Sequence, residues 1–385
     1  MHFAHPGLAE PRTKEEWRAY LDTAPPTPPS MPSHAAYLRM DPGQRALLDE
    51  AREDYHSALI LVRTEQMKRI HHLIHRRMRT NARQAPGARR GIVLDGPATI
   101  GKSTLVKIFA ADFEQALRSR YPDRFAIDTE PSVINGYLVD YTPVVYLNIP
   151  SQATPKDLSV ILADYLGHPH SNHATKNEIT KAVLDAMRLC GVELVIIDDV
   201  HFLDLSAREG KIVNDHLKYL ANHTAATFIY TGVDLKTSGL FLEGHGSTRA
   251  TQTSGRNTLH KMRPFTLGGD PEKKEWIGVI KAMEDALLLH HHQPGSLVRL
   301  WDYLHDRSAG SICGLSDLIR ESAVEAIHTG QESITRTLMD TIEISELAQE
   351  NYRRTRSSSQ GKQRKRPSVE SQPDIANTDE PVTSS

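Results

Sequence analysis

Short runs of apolar and β-branched residues recur through the middle of the chain, separated by longer stretches with helical character. GIVL (Gly91–Leu94), VVYLNI (Val144–Ile149), LVII (Leu194–Ile197) and TFIY (Thr227–Tyr230) read as buried strands, and MRPFTL (Met262–Leu267) is a fifth candidate. Between them lie helical stretches over Thr104–Arg118, Lys156–Leu166, Asn177–Leu189 and Glu209–Asn222. Near-continuous apolar strands alternating with helices predict an α/β fold with a mostly parallel sheet covered on both faces. After Gly268-Gly269 the pattern turns all-helical, over Pro271–Leu289, Gly295–His305, Leu315–His328 and Ile334–Tyr352.

The flanks differ in kind. Glu10–Asp22 fits one short helix carrying Trp17 and Leu21, and TAPPTPPSMP (Thr23–Pro32) reads as an extended proline-rich linker. Asp41-Pro42 supplies an N-cap and a first-turn proline for a long helical region running towards Arg83. Arg353–Ser385 is rich in Ser, Pro and charge, cannot bury enough apolar surface to offset its ordering entropy, and is predicted to be disordered. The expected organisation is an N-terminal extension with linker (1–40), an α/β domain with an N-terminal helical region (41–267), a helical lid (268–352) and a charged tail (353–385).

Composition narrows the class. Of the 385 residues, 39% are apolar and 24% charged, which is ordinary for a soluble globular protein. With 46 Lys+Arg against 48 Asp+Glu, a net charge of −2 excludes a uniformly basic nucleic-acid coat but leaves room for local patches. No run approaches the length of a transmembrane helix, the first residues lack the order of a secretion signal, and Cys190 and Cys313 are isolated. These features predict a cytoplasmic protein from a reducing compartment, without a membrane segment.

The clearest chemistry is Gly96-Pro97-Ala98-Thr99-Ile100-Gly101-Lys102-Ser103, which matches GxxxxGK[ST] between a strand ending at Leu94 and a helix starting at Ser103. Glycines let backbone N–H groups curl around phosphate oxygens, and the helix N-terminus adds partial positive charge. Lys102 is placed to reach the β- and γ-phosphates of ATP, the Ser103 hydroxyl to hold Mg²⁺, and Thr104 comes next in line for the phosphates. The required acidic partner is Leu194-Val195-Ile196-Ile197-Asp198-Asp199, an apolar strand ending in two carboxylates. Asp198 is read as the Mg²⁺ holder and Asp199 as the group that orients or deprotonates the attacking water. On the next strand Thr231 or its neighbour is positioned as a γ-phosphate sensor; Arg249, Arg256, Lys261 and Arg263 beyond it are candidates for a finger that completes a neighbouring subunit's site.

Charge is unevenly spread. Between Arg63 and Arg90 there are nine Lys/Arg and one acid, Glu65. Met67, Ile70, Ile74 and Met78 fall on one side of the helix, and Lys68, His72, Arg76, Arg79 and Arg83 roughly on the other, a pattern suited to DNA phosphates, a subunit contact or a solvated surface. Arg353, Arg354, Arg356, Lys362, Arg364, Lys365 and Arg366 form a second basic arm that could equally bind DNA, bind a protein or solubilise the tail. His71, His72 and His75 and the run His290-His291-His292 lack the Cys, Asp or Glu spacing of a metal site, so nucleotide-bound Mg²⁺ is the one metal expected.

Taken in order, GPATIGKS, PVVYLNIPSQATPKDLSVILADYLG, GVELVIIDDVHFL, RPFTLGGDPEKKEW and SAGSICGLSDLIRESAVEAI resemble TniB, the AAA+ ATPase helper of DDE transposons, related to TnsC and more distantly to IstB. The resemblance covers about Glu50 to Ile342. It implies an AAA+ P-loop NTPase, with a parallel five-stranded sheet sandwiched by helices and a C-terminal helical lid. It also implies an ATP-dependent, DNA-binding homo-oligomer (ring or filament) that marks duplex target DNA and recruits or activates a DDE transposase, with a TniQ-like adaptor as a further partner. Gly96, Gly101, Lys102 and Ser103 take its Walker A roles and Asp198 its Walker B role; Asp199 stands where the family usually has Glu, and His201 matches its acid-acid-x-His pattern. The family's Asn-Arg-Phe finger has no direct counterpart: alignment on Pro264-Phe265 puts Lys261 there, and a loop shift offers Arg256. In the lid, Gly314-Leu315-Ser316-Asp317 lacks the expected sensor arginine, and Arg320 lies a turn later. Two other readings stay open, an ATP-controlled protein scaffold with weak turnover and a helicase-loader-like AAA+ protein.

Overall fold

In the computed structural model, residues 9–24, 26–58, 61–85, 87, 89–126, 132–134, 137–150, 153–171, 173–200, 208–235 and 257–344 are described. Four of the apolar runs form β1 (Gly91–Asp95), β4 (Val144–Asn148), β5 (Leu194–Asp198) and β6 (Thr227–Gly232). With β7 (Asn257–Lys261) they make a five-stranded sheet, β4-β5-β6-β1-β7, in which every pairing is parallel. A separate antiparallel pair joins β2 (Ser132–Ile134) to β3 (Tyr137–Val139). The inner strands β1, β5 and β6 are buried along their whole length, because helices cover both faces.

The fifth strand is not Met262–Leu267, as the apolar run predicts, but the five residues before it. Pro264 has no N–H to give to a ladder. NTLHK instead pairs along the flank of β1, where its alternating half-buried and exposed positions hide the apolar signature of an inner strand.

The flanking helices are α5 (Lys102–Arg120), α6 (Pro155–Tyr165), α7 (Lys176–Leu189) and α8 (Arg208–His223). α6 and α7 each begin with a complete capping box, Thr154 with Asp157 and Thr175 with Glu178. The long helical region expected after Pro42 is two helices, α3 (Pro42–Ser57) and α4 (Glu65–Asn81), with Ala58 extended at the break and the Thr64 side chain accepting the Met67 N–H to restart the helix. On α4, Met67, Ile70, Ile74 and Met78 are buried in the core of the sheet domain, as the stripe predicts. Ile74 is fully enclosed (0% exposed), so truncation to Ala should cost about 2–5 kcal/mol.

The all-helical region contains α9 (Asp270–Glu284), a 3-10 turn (Val298–Leu300), α10 (Trp301–Ser308), α11 (Ile312–His328) and α12 (Arg336–Thr341) around its own core of Trp276, Ile280, Leu304, Leu315 and Leu318. α9 ends at Glu284 and not at Leu289. The buried Glu284 carboxylate accepts the Leu297 N–H at 2.8 Å and also the Val298 N–H, which folds the chain back on itself. The expected helix at Gly295–His305 accordingly starts later, at Trp301.

Chain preceding β1 divides between the two cores. α1 (Lys14–Asp22) places Trp17 in the sheet domain. A short α2 (His34–Arg39), capped by Ser33, and α3 lie on the helical region. There Arg52, 0% exposed, donates to both Glu332 oxygens at 2.9 and 2.5 Å and to the Leu288 carbonyl. No helix among the described residues is long and apolar enough to cross a membrane.

Candidate nucleotide site

At the C-terminal mouth of the sheet, β1 runs into the loop Gly96–Gly101 and then α5. Thr99 (φ 59) and Gly101 (φ 87) are both left-handed, the turn that lets successive backbone N–H groups face one concavity. Unlike α6 and α7, α5 has no side-chain cap, so its first N–H groups are left for a ligand. Lys102 is buried, and its Nζ donates to the Gly96 and Pro97 carbonyls at 2.9 and 2.6 Å. Burial pushes its ammonium below the ordinary lysine range, while Asp199, Asp198 and Asp95 pull it back up. Phosphate oxygens in this loop would give that half-desolvated cation a stronger partner than two neutral carbonyls.

β5 brings up the acidic side. Asp198 is 1% exposed, and its oxygens are shared among several donors. The Thr231 hydroxyl and, at 3.1 Å, the Asp199 N–H donate to Oδ1, while the Tyr146 hydroxyl donates to Oδ2 at 2.6 Å. Thr231 is fully buried and its Oγ1 also accepts the Asp199 N–H at 3.3 Å, so neighbouring strands lock both residues together. Asp199 itself is left-handed at φ 55, a conformation that costs a non-glycine residue about 1 kcal/mol or more. A buried carboxylate close enough to act on the Lys102 charge is a hard-oxygen donor and fits a Mg²⁺-type cation.

The lid closes the third side. The Ser311 hydroxyl donates to the Thr99 carbonyl at 2.8 Å, which ties the start of α11 to the phosphate loop. Beside Gly101 and Thr104, an apolar cleft is lined by Val62, Met67, Leu105, Met262, Ile312 and Cys313, a slot suited to a flat aromatic base. Sequence reasoning missed this cleft, because its walls come from four separate parts of the chain. It also missed Tyr146 and Asp95, whose carboxylate accepts the Leu235 N–H at 3.0 Å and fixes the end of β6 to β1.

The other predicted residues fall outside this cluster. Lys261 ends β7 in register with Asp95 and is exposed, as is Arg263. Arg320 is tied to Asp317 on α11 at 3.4 Å. Arg249, Arg256, His201 and the 353–385 tail lie outside the described residues. His71 turns inward to the Leu105 carbonyl, and the rings of His290 and His291 meet His34 tilted and edge-on, with centroids 5.2 and 4.3 Å away.

A family model described as "Bacterial TniB protein" matches residues 55–243. No curated protein matches the sequence. Among solved structures, the Aeropyrum pernix Orc1 protein in complex with DNA is 16% identical over 80% of this chain and 69% of its own, with a TM-score of 0.50. The Aeropyrum pernix ORC2 protein, in ADPNP–ADP complexes, is 15% identical over 73% of this chain and 67% of its own, also at 0.50. At such identities these likenesses speak for the fold, that of the AAA+ P-loop NTPases. With the phosphate loop, the Asp198–Thr231 pair and the family match together, this chain is a TniB-like, nucleotide-binding AAA+ protein.

Proposed function

We propose that the protein is an ATPase that assembles on duplex DNA when ATP-bound and acts as a transposition helper. In that role it recruits or activates a DDE transposase, with a TniQ-like adaptor as a further partner. The observation that carries the ATP-dependent part is the convergence of Lys102 with Asp198, Asp199 and Thr231 at one end of the sheet. Ser103 and Asp198 would hold Mg²⁺, which supplies charge neutralisation on the phosphates. Lys102 binds the phosphates, and Asp199 orients the attacking water and takes its proton. Thr231 keeps Asp198 and the Asp199 backbone in place. A finger from a neighbouring subunit, Lys261 or Arg256, would complete the site and couple hydrolysis to oligomer state.

The DNA part is supported by α4. Lys68, Arg69, Arg76, Arg79 and Arg83 are exposed while the opposite face is buried, so the cations stand on one outward surface. Such a face neutralises backbone phosphates without reading sequence.

A second reading, an ATP-controlled scaffold with slow turnover, is favoured by the short Asp199 side chain on a left-handed backbone. Sizing the protein on labelled duplex with no nucleotide, ADP, ATP and a non-hydrolysable ATP analogue tests the proposal. Large complexes with ATP or the analogue alone are expected. Nucleotide binding without any DNA complex would overturn the DNA role and favour the scaffold or a loader-like protein.

A further inference from the structure

The segment before Thr23 reaches Tyr146, the donor to Asp198. Trp17 is 1% exposed, and its Nε1 donates to Glu114 Oε2 at 2.8 Å. Its ring stacks on Tyr146, with centroids 6.0 Å apart and planes 13° from parallel. Lys14 donates to Asp140 Oδ1 at 2.5 Å, and Arg18 to the Tyr141 carbonyl at 3.3 Å, so one face of α1 is tied to the residues just before β4. Glu10, just ahead of α1, is paired with Lys107 and accepts from Asn148 Nδ2 at 3.1 Å, and its Oε1 lies 3.5 Å from the Tyr146 hydroxyl. Lys107 Nζ in turn sits 5.1 Å from the Tyr146 ring centroid.

Tyr146 therefore stands between the N-terminal segment and Asp198. It is fully buried, and its one hydroxyl proton goes to Asp198 Oδ2 at 2.6 Å, with Glu10 at the long limit of a hydrogen bond on the other side. The Thr231 hydroxyl and the Asp199 N–H both meet Oδ1 and leave Oδ2 to Tyr146. A second donor, on the other oxygen and from another strand, fixes the plane of the carboxylate. We infer that the N-terminal segment is a positioning element of the nucleotide site, in which Trp17 and Glu10 hold Tyr146 and Tyr146 holds Asp198 in the orientation that receives Mg²⁺. Tyr146, Trp17 and Glu10 touch neither nucleotide nor metal in this scheme; they are positioning residues. The inference rests on the proposed assignment of Asp198 to Mg²⁺.

The test is the Mg²⁺ concentration that half-saturates binding of a fluorescent non-hydrolysable ATP analogue, measured on the full chain beside metal-free affinity and Tm. Tyr146→Phe keeps the ring, its volume and its stacking on Trp17 but removes the donor. The expected result is an increase of about 10-fold or more in the Mg²⁺ requirement, with metal-free affinity roughly unchanged. Trp17→Leu, which leaves the hydroxyl in place, should move the Mg²⁺ requirement in the same direction as well as lowering Tm. A segment that merely packs would lower Tm alone, and that outcome overturns the role of the N-terminal segment. An unchanged Mg²⁺ requirement in Tyr146→Phe overturns the inference while leaving the site assignment standing. If the parent protein binds the analogue with no dependence on Mg²⁺, the assignment of Asp198 fails first and takes the inference with it.

Discussion

At the β4 edge of the sheet four of five residues are buried, and chain from far upstream supplies Trp17 and Glu10 at Tyr146 and Lys14 at Asp140. At the β7 edge the residues alternate between half-buried and exposed, and the neighbour is the cationic flank of α4. Arg77 donates to Thr258 Oγ1 at 3.0 Å, yet Arg77 Nε and His260 Nε2 are buried with no hydrogen-bond partner. Burial, followed by the charges of Arg77 and Arg76, holds His260 below the ordinary histidine range. A buried donor left unmade costs about 1–3 kcal/mol. One edge is thus completed by the protein's own residues and linked to Asp198. The other keeps a guanidinium N–H of Arg77 buried without an acceptor, and nothing among the described residues ties that edge to Asp198.

The harshest challenge to this contrast removes the element both edges serve. Lys102→Ala is expected to weaken nucleotide binding at least 100-fold and to abolish any ATP-dependent DNA complex, measured by analogue titration and by sizing. Next come the edges themselves. Trp17→Ala should cost about 3–5 kcal/mol in chemical unfolding, against less than about 1 kcal/mol for Leu259→Ala on β7, where the side chain is 38% exposed. Similar losses at both positions would erase the distinction between the edges.

A smaller effect separates charge from packing. Replacing Arg76, Arg79 and Arg83 with Gln should reduce the salt slope of duplex binding by about 0.9 for each lost phosphate contact and leave nucleotide affinity unchanged. Arg18→Gln, on the α1 side, should leave the slope where it was. The smallest effect lies away from both edges. His56 on α3, buried and then further lowered by Arg52, is pushed down to about 4. Its neutral Nε2 accepts the Leu288 N–H at 3.1 Å. With an unfolded value near 6.5, the folded value is the lower one, so its stabilisation is complete above about pH 6.5 and falls away as pH drops towards 4. Tm should decline from pH 7 to pH 5, and less steeply in His56→Gln.

Much of this architecture is legible in the chain because it is local. Strands buried on both faces must be apolar throughout, so GIVL, VVYLNI, LVII and TFIY announce themselves, and the phosphate loop is contiguous from Gly96 to Ser103. β7 is not legible, because NTLHK is only half-buried and carries no continuous apolar run, and the nearby MRPFTL draws the eye to the wrong segment. The stripe on α4 can be read from its spacing, but the break before Thr64 depends on a single cap. Trp17 marks α1 as amphipathic without saying what it packs against. Tyr146 looks like any strand aromatic, and its bond to Asp198 spans 52 positions, where neither periodicity nor motif reaches. The apolar cleft beside Gly101 is invisible for the same reason: Met67, Leu105 and Met262 read as ordinary core residues, and Ile312 joins them from the helical region.

The most direct test of the account is the affinity for one labelled duplex, at fixed salt and saturating nucleotide, with the non-hydrolysable ATP analogue and with ADP. The account predicts binding at least tenfold tighter with the analogue. Equal affinities in the two states, with both nucleotides bound, would contradict it.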